Sequence, residues 1–321
     1  MVWEKAPDEG LNSGDTFVTT TREKDYVLGT HEEELNRLGL QHRVWRPRAL
    51  DAWRRGGFTV GQTLLDIGCG PGFAAIDLAE MVGPTGRVIA MDRSRRFLAA
   101  LEGARDSRGL AQIEAREMDL DGASDAVTAT DGRRGDRDAA TVERRASTSD
   151  RDWAALERIG AHGAWARWVF AFLKHPREAL EHVTRAIRRG GVFILHEYFD
   201  YGTWRLAPRS LDMEDFVVAV MQSWRAEGGE PDIALDLPAW LTQLGFEIKS
   251  LNPIVDVVAP GNFVWQWPRT FIEVNLRRLR ELGRMTSEKA AIISSALASA
   301  ETRPDAYMIT PGVLEIIAVK R

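Results

Sequence analysis

Three points in the sequence combine residue types suited to holding a nucleotide-like ligand. In the stretch 64–74, LLDIGCGPGFA, Asp66 sits near the end of an apolar run, and Gly68, Gly70 and Gly72 follow at every second position around Cys69. Glycine at 68 and 70 permits a sharp turn and lets a ligand approach bare backbone. Asp92 closes a second apolar run, RVIAMD, and Arg93 follows it. A carboxylate there has the reach to accept both hydroxyls of a ribose. Met118, Asp119 and Leu120 close a third run. A dinucleotide fingerprint would need Gly or Ala at position 73, where Phe73 stands, so an NAD(P)-dependent oxidoreductase is a weaker alternative. No Gly-Lys-Ser/Thr follows, which rules out a phosphate-binding P-loop. Cys69 is expected to lend its backbone rather than a thiolate, because no base adjoins it in sequence.

Further along, His196, Glu197 and Tyr198 end another apolar run after Gly190 and Gly191. Alternation along a strand puts His196 and Tyr198 on one face, where they are the candidate catalytic residues. The six histidines are otherwise scattered, with one cysteine and no HExxH, so no metal site is expected. Eleven tryptophans avoid residues 54–152 entirely. Trp204, Trp265 and Trp267 are expected to wall an apolar acceptor chamber, with His196 and Tyr198 at its floor.

These residues need a scaffold, and the hydrophobic pattern supplies one. Strands are expected at 63–67, 87–92 and 111–120, alternating with helices at 73–83 and 95–109. That order implies βαβ crossovers and a parallel sheet covered on both faces. A helix at 176–191 leads to a strand at 191–198. Later come helices within 200–245 and 265–300, and strands at 246–255 and 313–320. Residues 26–56 read as a helix through Leu35, Leu38, Val44 and Leu50. Residues 121–152 hold eight acids and six arginines without Leu, Ile, Met or aromatics, the composition of a disordered insertion.

The spacing Asp66-x-Gly68-x-Gly70-x-Gly72, with acids at 92 and 119, resembles class I S-adenosylmethionine-dependent methyltransferases of the bacterial small-molecule type. The resemblance covers residues 63–119 well and 160–255 and 312–320 more loosely. It implies a Rossmann-like α/β fold: a doubly wound, mostly parallel seven-stranded sheet with its last strand antiparallel, plus helical cap and lid additions. It implies S-adenosyl-L-methionine as cofactor, with the glycine loop and Asp66 at its methionine part and Asp119 with its neighbours at the adenine. Tyr26 and Gln41 resemble pocket residues of the family's N-terminal cap, and Arg167, between Trp165 and Trp168, resembles an acceptor-side arginine. The acidic residue usual after the fourth strand is absent from Ala161–Trp168. A cofactor-binding module without turnover therefore stands as an alternative.

The implied division is an N-terminal arm and capping helix at 1–56, a cofactor-binding core at 57–199, and lid insertions with closing strands at 200–321. The chain of 321 residues has a net charge of −5, which argues against nucleic acid as partner. No apolar run of about 18 residues appears, so no membrane span is expected. One cysteine and an acidic start without an apolar leader suit the cytoplasm. The expected partner is a small-molecule methyl acceptor; a homodimer stays open.

Overall fold

The computed structural model describes residues 32–122 and 148–321. Tyr26, the arm at 1–22 and most of the expected insertion lie outside the described residues.

In chain order the elements are α1 (Glu32–Arg55), β1 (Thr63–Ile67), α2 (Phe73–Val82), β2 (Arg87–Asp92), α3 (Arg95–Arg108) and β3 (Ile113–Glu117). After the undescribed residues come α4 (Thr148–Glu157), β4 (Ala161–Arg167), α5 (Pro176–Ala186) and β5 (Ile187–Asp200). Then follow β6 (Arg205–Ala207), α6 (Leu211–Ala226), α7 (Leu237–Gln243), β7 (Phe246–Ile254) and β8 (Val257–Val258). The chain closes with α8 (Gln266–Glu281), α9 (Ser287–Glu301), β9 (Tyr307–Ile309) and β10 (Gly312–Lys320).

Seven strands form one sheet in the order β3-β2-β1-β4-β5-β10-β7. The first five run parallel, and β10 inserts antiparallel between β5 and β7. Both faces of β1 are buried, so it reads as an unbroken apolar run rather than an alternation. Leu64, Val88 and Ala90 pack toward Trp53, Leu78 and Leu101 of α1, α2 and α3. Leu65, Ile67 and Ile89 pack toward Leu156, Leu180 and Leu241 of α4, α5 and α7.

The structure departs from the expectation at several points. The helix expected at 176–191 ends at Ala186, because Ile187 already pairs with Ala161 and opens the long β5. The last residues of the expected insertion belong to α4, which begins at Thr148 and buries Trp153 against the sheet. A small sheet of order β6-β9-β8 was not foreseen. Its strands have two or three residues, too short for any period to show.

The tryptophans correct a further expectation. Trp204, Trp265 and Trp267 do not wall a chamber; they are core. With Trp45, Phe216, Trp224 and Phe271 they belong to a third hydrophobic cluster, which joins α1, α6, α8, α9 and the small sheet. Trp267 meets Trp45 edge-on at 4.9 Å and stacks on Trp168 at 5.4 Å. Trp265 donates its indole N–H to Glu301 at 3.0 Å. Their apolar area is thus spent on holding the cap together. Replacing Trp267 by Ala should cost about 3–5 kcal/mol of folding stability. A denaturant titration reads this as a lower midpoint, and an unchanged midpoint would remove Trp267 from the core.

Candidate functional site

A cleft open to solvent lies at the carboxyl ends of β1 to β4. That is where open parallel sheets place ligands. Leu38, Gln41 and His42 of α1 form one wall, and Asp66, Gly68 to Pro71, Phe73 and Ala74 the floor. Asp92, Arg93 and Phe97 follow from the β2 end, and Met118 through Asp121 from the β3 end. Trp165, Arg167, Trp168, Val169, Phe172 and Leu173 close the β4 side. The structure thus brings together Gln41, Asp66, Gly68, Cys69, Gly70, Asp92, Arg93, Met118, Asp119, Leu120 and Arg167. Leu38, His42, Phe73, Phe97 and Phe172 are wall residues that sequence reasoning left unassigned.

The glycines of the floor do different work. Gly70 has a φ of +54°, and a side chain there would meet nothing within 4 Å. Its bare backbone faces open space, as close ligand approach requires. Gly72 has a φ of +83° and would drive any side chain into Leu101, so it serves packing and is not a wall residue. Asp92 fixes the loop between them: it accepts Gly70 N–H at 2.9 Å and Ser94 N–H at 2.8 Å. Burial nevertheless pushes its carboxyl up from the usual range.

Charge is distributed unevenly around the cleft. Asp66 is 2% exposed, and its Oδ2 has no hydrogen-bond partner. Burial pushes its pKa to about 8, against the pull of Arg167. Burial also lowers the Arg167 pKa to about 10. Arg167 lies over Trp168 at 5.3 Å and Trp165 at 5.9 Å, and its Nη1 lacks a partner. Its Nη2 is 3.2 Å from His42 Nδ1. A guanidinium only donates, so Nδ1 accepts, and the His42 proton sits on Nε2, 3.0 Å from Asp77. Burial lowers the His42 pKa, which keeps the ring neutral. Burial raises the Cys69 thiol well above its ordinary value, which removes it as a nucleophile.

The expected catalytic pair is not at the cleft. His196 is wholly buried between Trp45 and Trp165, and its Nε2 is 3.1 Å from Glu315 on β10. Tyr198 is buried against Trp168 in the third cluster. Both end inside the fold because α1 and the cap helices cover that part of β5. Glu197, on the opposite face, has a structural task. Its Oε1 accepts Val169 N–H at 2.7 Å and Phe170 N–H at 2.9 Å, which holds the loop after β4. Burial lifts its pKa to about 7. Among the described residues no cluster of three or more His, Cys, Asp or Glu could hold a metal. Nor is any described helix long and apolar enough to cross a membrane.

Residues 58–132 match the family model described as a methyltransferase domain. The demethylmenaquinone methyltransferase of Oceanobacillus iheyensis is 36% identical over 74 residues, 23% of this chain and 30% of that protein. The 2-phytyl-1,4-naphtoquinone methyltransferase of Nostoc is 36% identical over 84 residues, 25% of this chain and 35% of that protein. The chain thus spans about a third of the length of these curated relatives. Among solved structures, an S-adenosylmethionine-dependent methyltransferase from Geobacter sulfurreducens in complex with S-adenosyl-L-homocysteine aligns with a TM-score of 0.44. Identity to it is 16%, over 84% of this chain and 90% of that one.

The two buried acids make a pH prediction. The folded chain holds Asp66 and Glu197 protonated up to about 8 and about 7, whereas unfolded carboxyls release their protons near 4. Their stabilisation is complete below pH ~4 and is lost as pH rises through the folded values. Stability should therefore decline between about pH 5 and 8, by at most about 1.4 kcal/mol per pH unit for each group. Denaturant midpoints across that range should flatten in Asp66→Asn and in Glu197→Gln. Slopes equal to that of the unaltered protein would contradict the assignment.

Proposed function

We propose, from the premise that this chain carries a class I S-adenosylmethionine-dependent methyltransferase domain, that it transfers the methyl group to a small apolar acceptor. The observation that carries the reading is the pairing of the Asp66–Pro71 floor with Asp92 at the neighbouring strand end.

The cleft fits the cofactor. Gly70 leaves open backbone, Asp66 has an orphaned buried oxygen, and Met118, Leu120 and Phe97 offer apolar surface for a flat base. Asp92 would take the ribose hydroxyls, because each of its oxygens keeps a second lone pair beyond the amide it already accepts. Met118, Asp119 and Leu120 would hold the adenine, and Gln41 the cofactor from the α1 side. When bound, the cofactor supplies a methyl group already activated on a sulfonium. What remains for the chain is alignment and exclusion of water, worth about 7–11 kcal/mol in well-oriented reactions. His42 is no free base, since both its ring nitrogens are engaged.

The acceptor side rests on the β4 wall. Trp165, Trp168, Phe172 and Leu173 make it aromatic and apolar, and Leu38 of α1 adds to it. Such a wall suits a planar acceptor of the quinone type named for the relatives, and we assign that class to this chain as a proposal. A dinucleotide oxidoreductase finds no support, since Phe73 fills the place of the third small residue and stacks on His42 at 5.8 Å; a binding module finds none among the relatives, which are named as methyltransferases.

Calorimetry should find S-adenosylmethionine and S-adenosylhomocysteine binding at micromolar levels and NAD not binding. Asp92→Ala should weaken both by roughly tenfold or more, since bonds to charged groups contribute about 1.5–3 kcal/mol. Release of S-adenosylhomocysteine in the presence of reduced naphthoquinones tests the acceptor class. Undiminished affinity in Asp92→Ala would sink the ribose assignment, and no turnover with any quinol would sink the acceptor class.

A further inference from the structure

We propose that Gln41 holds the methyl acceptor by one of its oxygens, and that Arg37 is the positioning residue that turns the Gln41 amide to do so. The proposal rests on the reading of the cleft as a methyltransferase site for a quinol. Resemblance gives Gln41 to the cofactor; its place on α1 gives it to the acceptor.

Helical spacing sorts the α1 wall into two stripes. Gly39, His42 and Arg46 face α2. A side chain at 39 would press on Phe73 at 3.1 Å, His42 stacks on Phe73, and Arg46 donates to Asp77 at 2.7 Å. Leu38, Gln41 and Trp45 form the other stripe. Trp45 meets the Trp168 ring edge-on at 5.1 Å. Gln41 lies one turn before Trp45, so it stands beside the β4 wall rather than beside α2, which continues the glycine floor.

The amide of Gln41 has one orientation. Its Oε1 accepts from Arg37 Nη1 at 2.8 Å. A guanidinium only donates, so the atom facing it is oxygen. Arg37 is held in turn: its Nε and Nη2 grip the two Glu34 oxygens at 2.8 and 2.6 Å, and its guanidinium lies over Phe271 of α8 at 5.7 Å. Glu34, Arg37 and Gln41 are all buried. A buried ion pair within one helix adds little stability for the desolvation it costs. Fixing the amide gives this one a task. Gln41 Nε2 has no partner among the described residues and is not sealed in the core, so its N–H groups open on the cleft.

Gln41 therefore only donates to the cleft, and the ligand atom it meets must accept. A carbonyl oxygen does so, and the oxygen of an ionised phenol does so more strongly. An ammonium or a bare hydrocarbon edge would leave the amide unsatisfied. A reduced naphthoquinone meets both demands of this corner, a flat ring for Trp168 and Phe172 and an oxygen for Gln41.

Initial rates with reduced naphthoquinones and calorimetry with S-adenosylhomocysteine, both on the full chain, test the assignment. Gln41→Leu should raise the KM for the quinol roughly three- to tenfold, the worth of one hydrogen bond, and leave S-adenosylhomocysteine affinity within about twofold. Gln41→Glu keeps a partner for Arg37 but removes the donor, so it should raise KM at least as much. Arg37→Met should raise KM by a similar factor alone and add nothing in the Gln41→Leu background, because it acts through the amide. A fall in S-adenosylhomocysteine affinity with an unchanged KM would return Gln41 to the cofactor and overturn the proposal. So would a Gln41→Glu protein with the KM of the unaltered one. Additive effects of Arg37→Met and Gln41→Leu would refute Arg37 as the positioning residue. If Arg37→Met does not fold, the two Gln41 variants decide. No turnover of any quinol by the unaltered protein would instead remove the acceptor reading, and this assignment with it, while cofactor binding stands.

Discussion

The Asp66 carboxylate, buried at the end of β1 with one oxygen unpartnered, is the constraint around which the cleft is arranged. A fold does not keep a buried acid without cause, since leaving it unsatisfied costs about 1–3 kcal/mol. Its surroundings explain how it is tolerated. Burial keeps the carboxyl protonated to about pH 8, and the Arg167 guanidinium stands across β4 with a spare donor of its own. Both would be better satisfied by each other than by nothing. That they are held apart means the separation is imposed by the fold, through His42 and Asp77.

The same device, a carboxylate accepting two backbone amides, recurs around the rim. Asp92 holds Gly70 and Ser94, Glu197 holds Val169 and Phe170, and Asp121 holds Lys174 and His175. Loops leaving the carboxyl ends of parallel strands turn their N–H groups away from any ladder, and buried donors must find acceptors. Acids placed at or just past the strand ends meet that need. The walls are therefore set by the fold itself, which favours a cleft that is preformed.

The half of the site built by β1, β2 and β3 was legible because its information is local. Each strand ends on its own acid, and the glycine pattern sits within seven residues of Asp66. The α1 wall was legible only at Gln41, and there through the family resemblance alone. The helix was read from Leu35, Leu38, Val44 and Leu50, of which only Val44 is buried, whereas Glu34, Arg37, Gln41 and His42 face inward. Arg37 bonds Glu34 and Gln41 within the helix, so its inner face carries a polar period that a hydrophobic reading passes over. His196 was misread for another reason: its partner Glu315 lies on β10, and only the antiparallel pairing of β10 with β5 joins them. The tryptophans were noticed by number but given the wrong task, because composition does not distinguish a lining indole from a packed one.

Trp168 shows why the β4 wall of the cleft and the stability of the cap are hard to separate. It is the one non-glycine among the described residues with a positive φ, +54°, a conformation that costs about 1–3 kcal/mol and persists only where surroundings enforce it. Its N–H is held by His196 O at 3.0 Å, and its ring stacks against both Tyr198 and Trp267 at 5.4 Å. The residue is thus both a member of the cap cluster and a wall of the cleft. Any change that loosens the cluster lets this backbone relax and moves the indole at the β4 wall. A core substitution far from the cleft would then change the shape of that wall. The family match covers residues 58–132 and stops before this region, which folds around its own tryptophans.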